Sequence, residues 1–370
     1  MSLNAAYPFL DFFAGCGLAA EALKGEFRAV WANDICPKKG LVFTANHGSG
    51  HFHLGSVEDC NGDGLPDAIL SWASFPCQDL SLAGAMQGID GDRSGLVWRW
   101  LESVDQMDRA GKKPLIVAAE NVAGLVSAGQ GAYYRALHRA LSDRGYKVGP
   151  VLLNADRWTP QSRPRVFVVG ADKRLDLSGL VDSAPNWTHP LALLRAVSGV
   201  DPVLWRLPLP PPRKTVLSDI LDFSAPCQPR QMAKHNLGLI PEAHFARLLR
   251  EVEKGLRAAP GYKRTRKQGQ QLELRFDGLA GCIRTPKGGS SRQFLIMARP
   301  DGRFDTRLLT VREAARLMGV RDSYKLPGVT DEHSIKGSYN DGYMAMGDAV
   351  AVPAVRFLSR NLLSRLAARA

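Results

Sequence analysis

Through the first half of the chain, short apolar runs alternate with stretches in which apolar residues recur every three to four positions. The runs at 7–12, 28–32, 68–71, 115–119 and 165–169 are strand patterns, the last rich in Val. The spacing at 18–24, 96–108 and 132–144 predicts helices. Strands alternating with helices predict an α/β fold with a doubly wound, mostly parallel sheet. The pattern breaks near residue 183. Ala184-Pro185-Asn186-Trp187 is turn-like, and Arg206-Leu207-Pro208-Leu209-Pro210-Pro211-Pro212-Arg213 excludes regular helix and central strand. Helical spacing returns at 242–256. A basic run follows, Lys263-Arg264-Thr265-Arg266-Lys267, and then a Gly/Ser-rich loop, Thr285-Pro286-Lys287-Gly288-Gly289-Ser290-Ser291-Arg292. Residues 340–370 regain a helical period. These breaks predict one domain from 1–186 plus 338–370, and a second, smaller, irregular domain at 187–337.

Composition and charge narrow the class. A chain of 370 residues holds two or three domains with a sizeable core. Hydrophobic residues at 45% and charged residues at 23% exclude global disorder. The apolar stretches are too short to span a bilayer, and the N-terminus lacks the pattern of a secretory signal. The six Cys form no Cys-x-x-Cys pair and no disulfide framework, so a reducing, cytoplasmic compartment is expected. His47, His51 and His53 cluster without metal-ligand spacing, and no metal site is expected. The net charge of +12 is unevenly placed. Residues 1–185 carry 18 Lys and Arg against 20 Asp and Glu, whereas 186–370 carry 30 against 16. The positive excess therefore lies wholly in the second half, which suits an acidic partner, most often nucleic acid.

Four segments carry candidate chemistry. Asp11-Phe12-Phe13-Ala14-Gly15-Cys16-Gly17-Leu18 runs from a strand through a glycine turn into a helix, an arrangement that lets backbone approach a nucleoside ligand. Asp34, after the next strand, is placed to accept from ribose hydroxyls. Taken alone, the same pattern reads equally as simple strand–helix packing. Ser74-Phe75-Pro76-Cys77-Gln78 places a thiol just beyond a strand end, where open α/β sheets bind ligands; a buried packing cysteine is the other reading. Glu120-Asn121-Val122 puts an acid at a strand mouth, facing the same cleft; a solvated strand-end charge is the other reading. In Gln161-Ser162-Arg163-Pro164-Arg165, alternation lets Arg163 and Arg165 face one anion, or leaves two solvated arginines.

In this order and spacing, the segments resemble the DNA (cytosine-5)-methyltransferases over nearly the whole chain. Leu309-Thr310-Val311-Arg312-Glu313-Ala314-Ala315-Arg316-Leu317 and Gly347-Asp348-Ala349-Val350 add to the likeness. The resemblance implies a Rossmann-like methyltransferase sheet with S-adenosyl-L-methionine as cofactor. Its contacts would be Phe13, Ala14, Gly15, Cys16, Gly17, Leu18, Asp34, Ile35, Ser56, Val57, Pro76, Leu96, Asp348, Ala349 and Val350. It implies Cys77 as the nucleophile toward cytosine carbon-6, with Glu120, Arg163 and Arg165 holding the base and stabilising the adduct. The irregular domain becomes a target-recognition domain for double-stranded DNA, contacted through Gln78, Ser81, Arg284, Lys287 and Arg292. A monomer with a cognate restriction endonuclease as partner is the corresponding expectation.

The sequence departs from the family pattern at three places. Leu18 replaces a glycine, Ser56 stands where an Asp would hold the adenine amino group, and Asp348 replaces an Asn. Glu58 or Asp59 is the alternative adenine contact. Other readings are a tRNA cytosine-5 methyltransferase and a DNA-binding regulator with a degenerate catalytic half. An oxidoreductase of Rossmann type lacks its third glycine in Gly15-Cys16-Gly17-Leu18-Ala19-Ala20.

Overall fold

Two different sheets organise the chain in the computed structural model, which describes residues 6–76, 95–267, 269–285 and 292–370. The first is built from β1 (Tyr7–Phe12), β2 (Phe27–Asp34), β3 (Phe52–Leu54), β4 (Leu70–Ala73), β5 (Ile116–Val122), β6 (Tyr146–Asn154) and β7 (Pro164–Asp172). Its order is β3-β2-β1-β4-β5-β7-β6. Every pairing from β3 to β5 is parallel, whereas β7 runs antiparallel to both β5 and β6. Between the strands lie α1 (Leu18–Leu23), α2 (Pro37–His47), α3 (Leu96–Arg109), α4 (Gly124–Ser127) and α5 (Ala132–Asp143). One core packs Leu10, Phe12, Trp100, Val104, Val117, Tyr134, Leu141 and Val168 together. Burying such side chains is worth about 1.5–3 kcal/mol each and fixes the strand ends. This is the α/β, mostly parallel architecture that the alternating pattern predicts.

Several strands differ from the sequence expectation. β4 begins two residues later than the apolar run at 68–71. β5 runs through Glu120 to Val122, because its antiparallel ladder with β7 continues to Val122↔Arg165. Glu120 is therefore a strand residue and not one beyond the strand mouth. β6 has no clear sequence signature, since Gly149-Pro150 interrupts it. As the terminal strand of the sheet it tolerates a proline. A Cβ on Gly149 would lie 1.8 Å from the Val203 carbonyl oxygen, so only glycine allows that approach.

The chain divides into two compact units, Met1–Asn154 with Pro164–Pro210 and Ala354–Ala370, and Ala155–Arg163 with Pro211–Pro353. These divisions differ from the pattern breaks near 186 and 337. Trp205 shows why 187–210 groups with the first sheet: it is fully buried, and its Nε1 donates to the carbonyls of Gly149 and Val169. After α6 (Leu191–Ala196), the second unit contributes α7 (Leu217–Ile220), α8 (Arg230–Gly238) and α9 (Glu242–Glu253). It then forms an antiparallel sheet, β11-β10-β8-β9, from β8 (Ala258–Arg266), β9 (Gly269–Leu274), β10 (Gln293–Ala298) and β11 (Phe304–Leu308). The unit expected to be irregular thus has a sheet of its own, with Leu248, Ala259, Leu272, Phe294 and Ile296 as its core. α10 (Val311–Leu317), α11 (Tyr339–Asp348) and α12 (Val352–Leu358) follow. Thr310 and Ser338 each begin a helix with a reciprocal capping box, to Glu313 and Asp341. Among the described residues, no helix is long and apolar enough to cross a membrane.

Candidate active site

The turn after β1 is held in a backbone conformation that sequence pattern alone does not reveal. Phe13, Gly15 and Gly17 all have positive φ, at 58°, 57° and 85°. A non-glycine residue there is strained by about 1–3 kcal/mol and persists only where its surroundings fix it. At Gly17 a Cβ would sit 2.6 Å from the His47 ring, so the position accepts only glycine. The neighbouring strand end supplies the fixing contacts. Phe13 N donates to Asn33 Oδ1 at 3.2 Å, and Ala14 N to the Asn33 carbonyl at 2.8 Å. Gly15 N and Cys36 N each donate to a different oxygen of Asp34, both at 2.8 Å. Asn33 Nδ2 also reaches the Gly55 carbonyl at 3.2 Å.

Asp34 is therefore a brace for the loop as well as a candidate ribose acceptor. Each of its oxygens accepts one backbone N–H and keeps a further lone pair. Ile35 beside it is 71% exposed. Behind the loop, Asp11 is fully buried, and neither of its oxygens has a hydrogen-bond partner. Burial, and then the charge of Asp34, push its carboxyl well above the usual carboxylate range. Cys16 and Leu18 are buried, Leu18 as the first residue of α1. Ser56 caps a short helical turn: its Oγ accepts from Glu58 N at 3.2 Å and lies 3.2 Å from Glu58 Oε2. Val57 is buried in that turn, with Glu58 and Asp59 exposed.

The acid and the arginine meet at the β5–β7 ladder. Glu120 pairs in register with Phe167, and Arg165 with Val122, two rungs along on the same face. Arg165 Nε lies 3.0 Å from Glu120 Oε1, with both side chains nearly buried. Asn121 faces the other way, and its Nδ2 donates to the Phe75 carbonyl at 3.0 Å. That bond ties the segment entering Pro76 to β5. Pro76 is exposed and Leu96, at the start of α3, is half-buried. Cys77, Gln78, Ser81 and Lys287 lie outside the described residues.

Among the described residues, Arg163 and Arg165 have different partners. β7 begins at Pro164, so the alternation does not extend to Arg163. Arg163, only 1% exposed, donates to the carbonyls of Ile283, Gly347 and Ala349 and to the Cys282 thiol. Gln161 is fully buried beside it, accepting from Ile283 N and donating to the Leu317 carbonyl. Within the second unit, these two side chains hold the segments around 283 and 347–349. Asp348 is the exposed last residue of α11, Ala349 is half-buried and Val350 buried. Arg284 is exposed, its backbone close against Gly347. Arg292 is half-buried, bonded to Asn340 Oδ1 with its guanidinium over the Tyr339 ring. Sequence reasoning missed Asn33 and Asn121. The one available signal was their position beside an acid at a strand end. Among the described residues, no cluster of His, Cys, Asp and Glu could hold a metal ion.

Comparison with known proteins adds the family. The model of the C-5 cytosine-specific DNA methylases matches residues 7–364. The Type II methyltransferase M.MthTI of Methanothermobacter thermautotrophicus is 35% identical over 169 residues, which is 45% of this chain and 49% of that protein. The Type II methyltransferase M.NgoFVII of Neisseria gonorrhoeae is 33% identical over 184 residues, 49% of this chain and 47% of that protein. The chain spans about half the length of the curated relatives it matches. Among solved structures, the Entamoeba histolytica methyltransferase EhMeth aligns over 98% of this chain and 99% of its own, with a TM-score of 0.66 and 14% identity. The S. pombe Dnmt2 methyltransferase aligns over 97% and 98%, with a TM-score of 0.59 and 16% identity. At these identities the likeness is one of fold.

Proposed function

The chain belongs to the C-5 cytosine-specific DNA methylase family, and from that premise we propose that it methylates carbon-5 of a cytosine within a short duplex DNA sequence. The single observation that carries the reading is the Glu120–Arg165 pair, buried at 3.0 Å beside the strand segment that Asn121 ties to Phe75. Two residues after Phe75 the chain reaches Cys77.

Carbon-5 of cytosine is a poor nucleophile within an aromatic ring. The Cys77 thiolate adds to carbon-6, forming an S–C bond and moving the ring electron pair to carbon-5. Glu120 holds the base at N3 and its exocyclic amine and delivers a proton to N3 as charge develops. Arg165 fixes the Glu120 carboxyl in place and stabilises the adduct. Arg163 acts from a distance, through the backbone it holds. The electron pair at carbon-5 would take the methyl group from the bound donor, whose sulfur would keep the electrons of the broken S–CH3 bond. Water then removes the carbon-5 proton, the Cys77–carbon-6 bond breaks, and N3 returns its proton to Glu120, which restores the ring. A stacked base is out of reach, so the cytosine is flipped out of the duplex at a cost of about a few kcal/mol.

The turn after β1 suits a nucleoside cofactor. Gly15 and Gly17 remove side chains from the approach, and each Asp34 oxygen keeps a lone pair for a ribose hydroxyl. Ile35 offers an exposed apolar edge, and Asp11 a buried, unpartnered carboxyl behind the loop. S-adenosyl-L-methionine, when bound there, supplies an electrophilic methyl group. Phe13, Ala14, Cys16, Leu18, Val57, Pro76 and Leu96 complete the proposed contacts within the first unit. Ser56, engaged in its own cap, leaves the adenine contact to Glu58 or Asp59. The second unit is the target-recognition domain, with Arg284, Lys287 and Arg292, together with Gln78 and Ser81, on the DNA. A restriction endonuclease of the same sequence specificity, in the same cytoplasm, is the matching partner.

Bisulfite sequencing of plasmid DNA from cells expressing the protein tests this reading, with Cys77→Ala as control. Protected cytosines at one recurrent motif, absent in the control, are expected. Protection that survives Cys77→Ala would remove the covalent step.

A further inference from the structure

The antiparallel sheet of the second unit is uneven at one end. β8 pairs with β10 from Ala258 to Tyr262, where Gln293↔Tyr262 is the last rung. Its ladder with β9 continues through Lys263↔Leu272, Arg264↔Gln271, Thr265↔Gln270 and Arg266↔Gly269. These rungs form a two-stranded ribbon that overhangs β10. Thr265, Arg266, Lys267, Gly269 and Gln270 on it are exposed. The ribbon leaves the sheet at the end where β10 starts, immediately after Arg292.

Alternation puts Tyr262, Arg264 and Arg266 on one face with Gln271 and Glu273. Arg266 and Glu273 form a two-pronged ion pair at 2.6 and 2.8 Å. Arg264 places its guanidinium 5.2 Å from the centre of the Tyr262 ring, and the Tyr262 hydroxyl is anchored on the Cys282 carbonyl at 2.7 Å. Arg264 and Gln271 are cross-strand neighbours on this face, and neither head group makes a hydrogen bond among the described residues. The face therefore presents one oriented guanidinium beside one amide, framed by a cation that its own carboxylate already neutralises.

We infer that this ribbon enters the major groove of duplex DNA and that Arg264 and Gln271 read base edges there. The inference rests on the duplex-DNA reading above. The major groove admits a two-stranded ribbon, whereas the deep, narrow major groove of an RNA duplex does not. An arginine presents two parallel donors to guanine, and a glutamine a donor and an acceptor to adenine. The ring beneath Arg264 limits its rotamers before DNA arrives, which lowers the ordering cost on binding. Lys267, exposed in the turn just after β8, supplies a phosphate contact.

The test selects a randomised duplex pool on the full-length protein, sequences the bound fraction and scores cytosine methylation in the same pool after donor is added. The wild type should enrich one short motif. Arg264→Ala and Arg264→Lys should both relax one position of it, and Gln271→Ala another, by about 10- to 100-fold in enrichment. Lysine keeps the charge but loses the two-donor fork, so it separates base reading from phosphate contact. Retained discrimination in Arg264→Lys, or an even loss across all sequences, would overturn the inference. So would the absence of any enriched motif with the wild type. A motif enriched by the wild type and relaxed in the variants, with no methylation, would leave the ribbon in place and remove the proposed activity. Unchanged melting temperatures of the variants verify folding.

Discussion

The turn after β1 and the β8–β9 ribbon, the two regions proposed for the methyl donor and for DNA, are built in opposite ways. In the turn, the backbone donors of Phe13, Ala14 and Gly15 already bond to Asn33 and Asp34 at 2.8–3.2 Å. In the ribbon, the heads of Arg264 and Gln271 bond to no described residue. A turn that receives the same ligand at every turnover gains from a shape fixed in advance, even a strained one such as Phe13. A surface that must sample many wrong sequences before the right one gains from groups that exchange partners with water quickly. The contrast between a braced shell and an open reading edge can be broken at defined residues.

Glu120→Gln should have the largest effect. The rate of methylation in single turnover should fall about 100- to 10,000-fold, while the motif preferred by the residual activity stays the same. A changed motif would mean that the buried pair also takes part in reading. Asn33→Ala comes next. It removes the acceptor of Phe13 N and the donor to Gly55, and each such loss is worth about 1–3 kcal/mol where the group stays buried. Calorimetry should show donor binding weakened by about tenfold or more, with the DNA motif intact. Equal donor affinity would show that the loop does not need its brace.

The smallest effect is expected at Asp172, at the far end of β7. Burial opposes its charge, but hydrogen bonds from Arg174 and the nearby Lys113 ammonium outweigh it and hold the carboxyl down at about 2. A carboxyl lowered on folding stabilises the native state above its ordinary value of 3.8 and loses that contribution as pH falls toward 2. Asp172→Asn should cost about 1–2 kcal/mol at neutral pH and flatten acid unfolding between those values, with donor affinity and motif both unchanged. Chemical denaturation at a series of pH values checks the sign.

The sequence made some of this legible and hid the rest for identifiable reasons. The β1–turn–α1 unit is written in local pattern, so its elements and glycines are readable in advance. β6 escaped because a terminal strand can keep Gly149-Pro150, which elsewhere would argue against a strand. The second sheet escaped because Ala258-Ala259-Pro260-Gly261 carries no alternation, although four of these residues pair or pack in it. At the site, Glu120, Arg165 and Asp34 stand out as charges at strand ends. Asn33 and Asn121 do not, because an amide acquires its role only from the carbonyls and N–H groups that distant segments bring to it. Arg163 illustrates the same limit from the other side: it lies one residue before the strand that begins at Pro164, and its described acceptors are carbonyls far along the chain.

That arginine also constrains how the protein can be made. Its acceptors, Ile283, Gly347 and Ala349, lie 120, 184 and 186 residues further along the chain. During synthesis, the nearby strands β6 and β7 can pair as soon as they emerge. The segment between them, 155–163, must wait until residues 283–349 have been made before its cation finds its carbonyls. Contacts of such long sequence separation form late, since loop closure precedes any gain from them. The first sheet should thus begin to assemble early, while the second unit becomes native only after residue 349 has emerged from the ribosome. A pulse-chase protease assay should show the two acquiring resistance at separate times.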